Sequence, residues 1–269
     1  MRHGDYFSGN NRFRFIEDVR AGSAPWSAVK DIRRIIEKFL APLPGSGLDQ
    51  LEGYARFDTV TAPDGTVRET ALSITRSFVT ASPIHIKSAK IYAGAGTFLE
   101  LGAVIKGPCV IGENSEARQG AYIRGDVIVG DNSVVGHVTE VKNSIFMDHA
   151  HAGHFAYVGD SILGRHVNLG AGTILANLQF RSRAELDEGR INEISLRTDK
   201  ETLLTGLCKL GAVIGDYTEI GCNTVTAPGT MIKSGCWIYP NTTVPKGAYG
   251  PDAVIRAKNA GKVDASGKP

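Results

Sequence analysis

The sequence predicts a mainly β fold, a parallel β-solenoid preceded by a small α+β segment. One observation dominates. Aliphatic or small residues recur every six positions at Ala93, Leu99, Ile105, Ile111, Ala117, Ile123, Val129, Val135 and Val141. Two five-residue steps then reset the phase, first to Phe146, Ala152 and Val158 and then to Leu163, Leu169 and Leu175. The repeat resumes at Ile214, Ile220, Thr226, Ile232, Ile238 and Val244. A helix of 3.6 residues per turn cannot hold a strict six-residue repeat on one face. A solenoid of short strands can, because each strand contributes one inward side chain and each corner takes a small residue. The second observation is that the 32 glycines are periodic, often following the repeat residue at once, as in Ile111-Gly112 and Val129-Gly130. Three strands make one triangular coil, so the pattern supplies roughly five coils before Asn177 and two after it, about seven in all.

Ahead of the repeat, residues 1–22 show no clear period. Ser23-Ala24-Pro25-Trp26 reads as the start of a helix, since proline suits a first helical turn. Trp26, Val29, Ile32, Ile35, Ile36 and Phe39 follow at helical spacing until Pro42, Pro44 and Gly45 stop them. The apolar stripe of this helix is expected to dock on this chain or on a neighbouring subunit. Between Tyr54 and Phe78 short alternating runs flank Pro63-Asp64-Gly65-Thr66, which reads as a β-hairpin. The expected divisions are 1–88 for the N-terminal segment, 89–250 for the solenoid and 251–269 for a tail, frayed from Ala257 to Pro269. Residues 178–209 are polar and charged and read as an excursion from the solenoid, of the kind that serves a binding face.

Bulk properties exclude several classes. Net charge is +2 with mixed signs and no Lys/Arg block, so neither a nucleic-acid nor a membrane-surface partner is expected. The opening MRHGDYFSGNNRFRF has no apolar core of a secretory signal, and no apolar run approaches the ~20 residues of a membrane span. Cys109, Cys208, Cys222 and Cys236 show no C-x-x-C spacing. A reducing cytoplasm is the expected location.

Chemistry-bearing residues concentrate between Asp148 and Asn177, in DHAHAGHFAYVGDSILGRHVNLGAGTILAN. This stretch holds His149, His151, His154, Tyr157, Asn168, Asn177 and a Gly170-Ala171-Gly172-Thr173 turn. The six-residue pattern resembles the left-handed parallel β-helix acyltransferases. Glu140-Val-Lys-Asn-Ser, AGHFAYVGD and VNLGAGTILAN are similar to the acetyltransferase domain of bifunctional sugar-1-phosphate nucleotidyltransferase/acetyltransferases. The resemblance covers roughly residues 90–250. No L-x-G-G-x-G-T-R motif occurs, so these 269 residues are expected to match that family without its nucleotidyltransferase half. A second departure follows Asn177, where Arg181 and Arg183 stand in place of the family's lysines.

The resemblance implies transfer of an acyl group, acetyl above all, from coenzyme A to the amine of an amino-sugar 1-phosphate of the glucosamine 1-phosphate type. Such a reaction needs a base for the amine, positioning and a holder for the oxyanion. His154 occupies the family's base position, and imidazole titrates near neutral pH. Arg124 and Lys142 match cationic contacts to the sugar phosphate, and Tyr157, Asn168 and Asn177 match substrate-binding positions; asparagine equally suits left-handed corners. Ala171 and Gly172 would bring backbone amides to the thioester carbonyl. The family also implies a homotrimer with each site between two subunits. Acetyl-CoA is the expected co-substrate, with no metal.

Two other readings stay open. The three clustered histidines and IRGDVIVGDNS also resemble γ-class carbonic anhydrases, zinc enzymes of the same fold, although the glutamine expected after the GDNS-type turn is replaced by Val134-Val135-Gly136. A non-catalytic scaffold is the third reading, and it leaves the His/Tyr/Asn constellation unexplained.

Overall fold

The structure is a computed structural model that describes residues 1–197 and 201–257. It is a parallel β-helix with three flat walls. Each coil crosses the first, second and third walls in turn, as in Ser144–Phe146, His151–His154 and Tyr157–Gly159. Five complete coils precede the excursion, from Ile91–Ala93 to Ile174–Leu175. Two more run from Ala212–Ile214 to Thr243–Val244, and Ala248–Tyr249 and Val254–Ile255 begin another. Every six-residue repeat position from Ala93 to Val244 is buried, and all but Thr226 belong to one central apolar column. The Thr226 hydroxyl inside that column has no hydrogen-bond partner.

The open end of the helix before the first coil is closed by antiparallel strands. Ile84–Ile86 pairs with Ile91–Ala93, Phe78–Val79 with Phe98–Leu99, and the hairpin Ala55–Thr61/Val67–Ile74 adds itself to Val104–Lys106. The hairpin therefore forms where the Pro63–Thr66 turn places it, and its second strand extends the third wall.

The helix expected from Ser23 to Phe39 is broken in two. A 3-10 turn covers Ser27–Lys30 and an α-helix covers Ile32–Leu40, separated by Asp31. The Ser27 hydroxyl accepts the Ala24 N–H at 3.1 Å, which closes a tight turn instead of a first helical turn. The apolar stripe docks on this chain. The middle residues of the first-wall strands, Tyr92, Val110, Ile128, Ile145, Ile162, Val213 and Met231, point outward, and the N-terminal segment buries them. Trp26, Val29, Ile32, Ile35 and Ile36 take part, as do Tyr6, Phe7, Phe13 and Phe15 from the stretch that showed no period. Polar ties hold that stretch in register: the Ser8 N–H and hydroxyl both donate to Asp216 at 2.9 Å, and Ser234 donates to the Tyr6 carbonyl at 2.7 Å.

The excursion packs back on the same cover. Ser182 caps the helix Arg183–Asp187 reciprocally with Glu185. The hairpin Ser195–Arg197/Thr202–Leu204 follows, and Ile194, Leu196 and Leu210 join the N-terminal apolar cluster. Trp26 Nε1 donates to the Thr205 carbonyl at 3.1 Å. Of the tail expected to fray, residues 258–269 lie outside the described residues.

Candidate active site

The three clustered histidines do not converge, because a coil places each at a different part of its circuit. His149 has φ 60° at the corner between the first and second walls, the same left-handed corner position as Asn114 and Asn132. Its ring stacks on His166 at 4.5 Å, and His166 stacks on Tyr217 at 5.1 Å. Burial holds the His166 imidazole below its usual range. His151 points outward on the second wall, in register with Asn168, and contacts the Asn132 carbonyl at 3.2 Å. His154 closes the same strand at the far end of that wall and is exposed. Among the described residues no group of three or more His, Cys, Asp or Glu side chains is placed to hold a metal ion.

His154 borders a groove of about 560 Å³ on the second wall, lined also by His151, Asn168, Gly170, Ala171 and Cys222. Ala171 sits one coil on from His154, since Ala152 pairs with Leu169 two residues earlier in each coil. Neighbouring parallel strands are about 4.8 Å apart, so His154 and the Ala171 amide are close neighbours along the groove. The Gly172 N–H is already committed to the His154 carbonyl at 3.0 Å, whereas the Ala171 N–H makes no hydrogen bond among the described residues. At the two equivalent corners nearest the first coil, the Leu101 and Gln119 N–H groups donate to Ser77 and Glu100 side chains. The equivalent Cys222 N–H one coil on is likewise without a hydrogen bond among the described residues, so Ala171 is the free backbone donor of the corner one coil from His154. Gly172 has φ 75°, and a Cβ there would run into Asn223.

Four of the expected residues lie around the corner on the third wall. Arg124 donates to Glu140 at 2.6 Å. Lys142 sits 3.3 Å from Asp160, and Asn143 and Asn177 also donate to that carboxylate, Asn143 at 2.7 Å. The Tyr157 hydroxyl and the Asn177 amide meet over Gly159, where a Cβ would clash with both. Burial raises the Tyr157 phenol above its usual range. Neither Asn168 nor Asn177 takes a left-handed conformation. Asn168 donates instead to Glu219 at 3.0 Å, so both asparagines are wall residues oriented by carboxylates.

Sequence reasoning missed Asp160, only 5% exposed, which organises the third-wall cluster. Its signal was its spacing of one coil from Lys142 and from Asn177. It also missed Cys222, the next residue along the groove after Ala171. Gly136 has a local role. A Cβ at Gly136 would collide with the Gly153 backbone, in the strand that carries His154. Gly136→Ala is expected to cost ~1–3 kcal/mol by overpacking and to displace that strand. Denaturant unfolding checks it; an unchanged midpoint would show that the coils relax freely.

A triangular parallel β-helix with an exposed wall-edge histidine, a free corner amide and a cationic neighbouring wall defines a hexapeptide-repeat transferase fold. Comparison with known proteins agrees. Residues 105–189 match the family described as the GMPPB C-terminal domain. The chain is 36% identical over 110 residues to a bifunctional sugar-1-phosphate nucleotidylyltransferase/acetyltransferase of Sulfurisphaera tokodaii, covering 41% of this chain and 25% of that protein. It is 38% identical over 104 residues to the bifunctional protein GlmU of Methanocaldococcus jannaschii, covering 39% and 23%. The chain thus spans about a quarter of the length of these curated relatives. It is 31% identical over 171 residues to the uncharacterized acetyltransferase YaiX of Escherichia coli, covering 62% of this chain and 70% of that protein. The chain belongs to this family, the hexapeptide-repeat acetyltransferases. Among solved structures, a mutant of AntD, an N-acyltransferase from Bacillus cereus in complex with dTDP and coenzyme A, aligns with a TM-score of 0.30 and 12% identity over 60% of this chain and 78% of that one.

Proposed function

We propose that this protein transfers an acyl group, acetyl above all, from coenzyme A to the amine of an amino-sugar 1-phosphate. The observation that carries the reading is the pairing of exposed His154 with the free Ala171 N–H along one groove. His154 takes a proton from the attacking ammonium, and the amine attacks the thioester carbonyl. The Ala171 N–H donates to the oxyanion that forms there. Collapse of the tetrahedral intermediate expels the coenzyme A thiolate, which is protonated as it leaves. The thioester arm follows the groove toward Cys222. Lys142, Tyr157 and Asn177 hold the sugar phosphate, with Arg124 beyond them. Asn168, oriented by Glu219, faces the groove. A thiol-release assay with acetyl-CoA and a panel of amino-sugar phosphates tests this; no release with any of them defeats it.

His154 and Tyr157 are three residues apart yet belong to different walls, joined by a corner where Phe155 has φ 52°. The outward faces of two walls of a triangle diverge, so one chain does not close both around one substrate. We place each site between the second wall of one copy and the third wall of another in a homotrimer. Val138 and Phe155, 51% and 56% exposed at this corner, provide apolar surface for that contact. Light scattering is expected to give three chains per particle, and a monomer at micromolar concentration would defeat the shared site. Activity is expected to survive exhaustive chelation. Its loss, together with about one zinc per chain, would favour the anhydrase-like alternative. No helix among the described residues is long and apolar enough to cross a membrane, and the four cysteines are free thiols; we place the enzyme in the cytoplasm.

A further inference from the structure

We infer that the outer strand of the N-terminal hairpin, Ala55–Thr61, is a self-complementary edge that pairs antiparallel with the same strand of a second copy, and that two trimers associate base to base through it. The strand pairing stands on its own geometry. The count of six chains rests on the homotrimer proposed above.

The third wall runs along the solenoid from Thr243–Val244 to this strand, which ends it at the base. An open sheet edge is a template for another strand, and proteins usually shorten or cover such edges. The other described wall ends follow that rule. At the base, Ser46 bridges the first-wall strand Ile84–Ile86, exchanging backbone hydrogen bonds with His85 at 3.0 and 3.2 Å. The second wall ends in Phe78–Val79, only two residues long, and Thr243–Val244, Ala248–Tyr249 and Val254–Ile255 at the far end are equally short. Ala55–Thr61 has seven residues, with no proline or lysine among them, and all but Ala55 are exposed.

The phase of this edge is fixed. The Thr75 N–H donates to the Tyr54 carbonyl at 2.8 Å, so Arg56 and Asp58, further along the same alternation, exchange backbone bonds with Ser73 and Ala71. Ala55, Phe57 and Thr59 therefore turn their N–H and C=O groups to the open edge. A two-fold axis at Phe57 makes Phe57 a hydrogen-bonded pair with its own copy and sets Ala55 against Thr59. It also sets Arg56 against Asp58 twice. These two side chains already touch at 3.1 Å within one chain, so the two-fold closes a square of alternating charges and breaks no pair. The neighbouring register, centred on Asp58, would oppose two carboxylates. Phe57 pairs with Leu72 and Leu72 with Ile105, so the Phe57 ring continues the inward apolar column beyond the base, where it is 48% exposed. Strand pairing brings two such rings together and covers them.

The two-fold of an antiparallel pair is normal to the sheet, and hence to the solenoid axis. With three solenoids side by side about a parallel three-fold, this is the relation by which a dihedral assembly closes. Each strand contact is small beside the ~1,200 Å² of a stable interface, so trimers prevail at micromolar concentration and pair as it rises.

Sedimentation velocity of the intact protein from about 1 µM to about 500 µM tests this by mass action. The wild type is expected to pass from three chains per particle toward six. Asp58→Arg opposes like charges at every pair and is expected to weaken the association about tenfold or more. Combining it with Arg56→Asp is expected to restore the association, because the swap keeps the strand self-complementary. A wild type that stays at three chains throughout overturns the edge pairing. So does association that Asp58→Arg leaves unchanged, or that the double swap fails to restore. A step from one chain to two that follows the same charge pattern supports the pairing and defeats the homotrimer, and a monomer throughout defeats both.

Discussion

Replacing His154 with alanine is expected to lower kcat by ~10²–10⁴, the usual contribution of a general base. The imidazole is exposed and makes no hydrogen bond among the described residues, so its removal leaves no buried group unpaired. Stability should therefore stay within about 0.5 kcal/mol, and the rate loss is not confounded by unfolding. The KM for acetyl-CoA should change little, because in the proposed mechanism the thioester rests on the coil backbone at Ala171. His149→Ala and His151→Ala should cost far less in kcat: the first loses a ring stack at a corner, the second a contact to a backbone carbonyl. Steady-state kinetics on the best amino-sugar acceptor checks all three. A His154→Ala enzyme with most of its turnover would remove the role assigned to this groove.

Trp26→Ala is expected to destabilise the fold by about 3–5 kcal/mol, the range for truncating a buried aromatic side chain. Trp26 is 5% exposed, and its indole N–H is the direct tie to the excursion at Thr205. Truncation leaves a cavity between the wall cover and the hairpin, and removes a buried donor from the Thr205 carbonyl. Urea unfolding measures the loss. Hydrogen exchange should quicken at Ser195–Arg197 and Thr202–Leu204 before it does in the coils, because the indole N–H bonds the excursion directly while the coils keep their own ladder hydrogen bonds. A change below about 1 kcal/mol would mean that the N-terminal segment adds little to the stability of the wall.

The cover also shows where sequence reading stopped. One apolar residue per six was enough to find the solenoid and its coils. The strands of the first wall carry a second one, as in Val127-Ile128-Val129 and Ala212-Val213-Ile214. A residue that alternates to the outer face of a strand and is apolar marks a face that something covers. The sequence carries that signal in the first-wall strands. What covers it, Tyr6 to Phe15 and the broken helix of Trp26 to Leu40, has no period of its own to recognise, since it follows the wall rather than its own axis.

At the site, the sequence alone determined which residue types lie within one or two coils of each other, because the hexapeptide repeat converts sequence offset directly into height along the solenoid. His154, Ala171 and Cys222 fall in line for that reason. It did not determine which wall each side chain faces, because five-residue steps and four-residue strands shift the corners. Only the tertiary structure decided that Tyr157 faces away from His154, and that the His149 ring belongs to a corner stack. It also decided that a buried Asp160 gathers Lys142, Asn143 and Asn177. The physical reason is that a side chain's direction is set by the phase of its corner, and its partners come from coils above and below that are about 17 residues away in the chain.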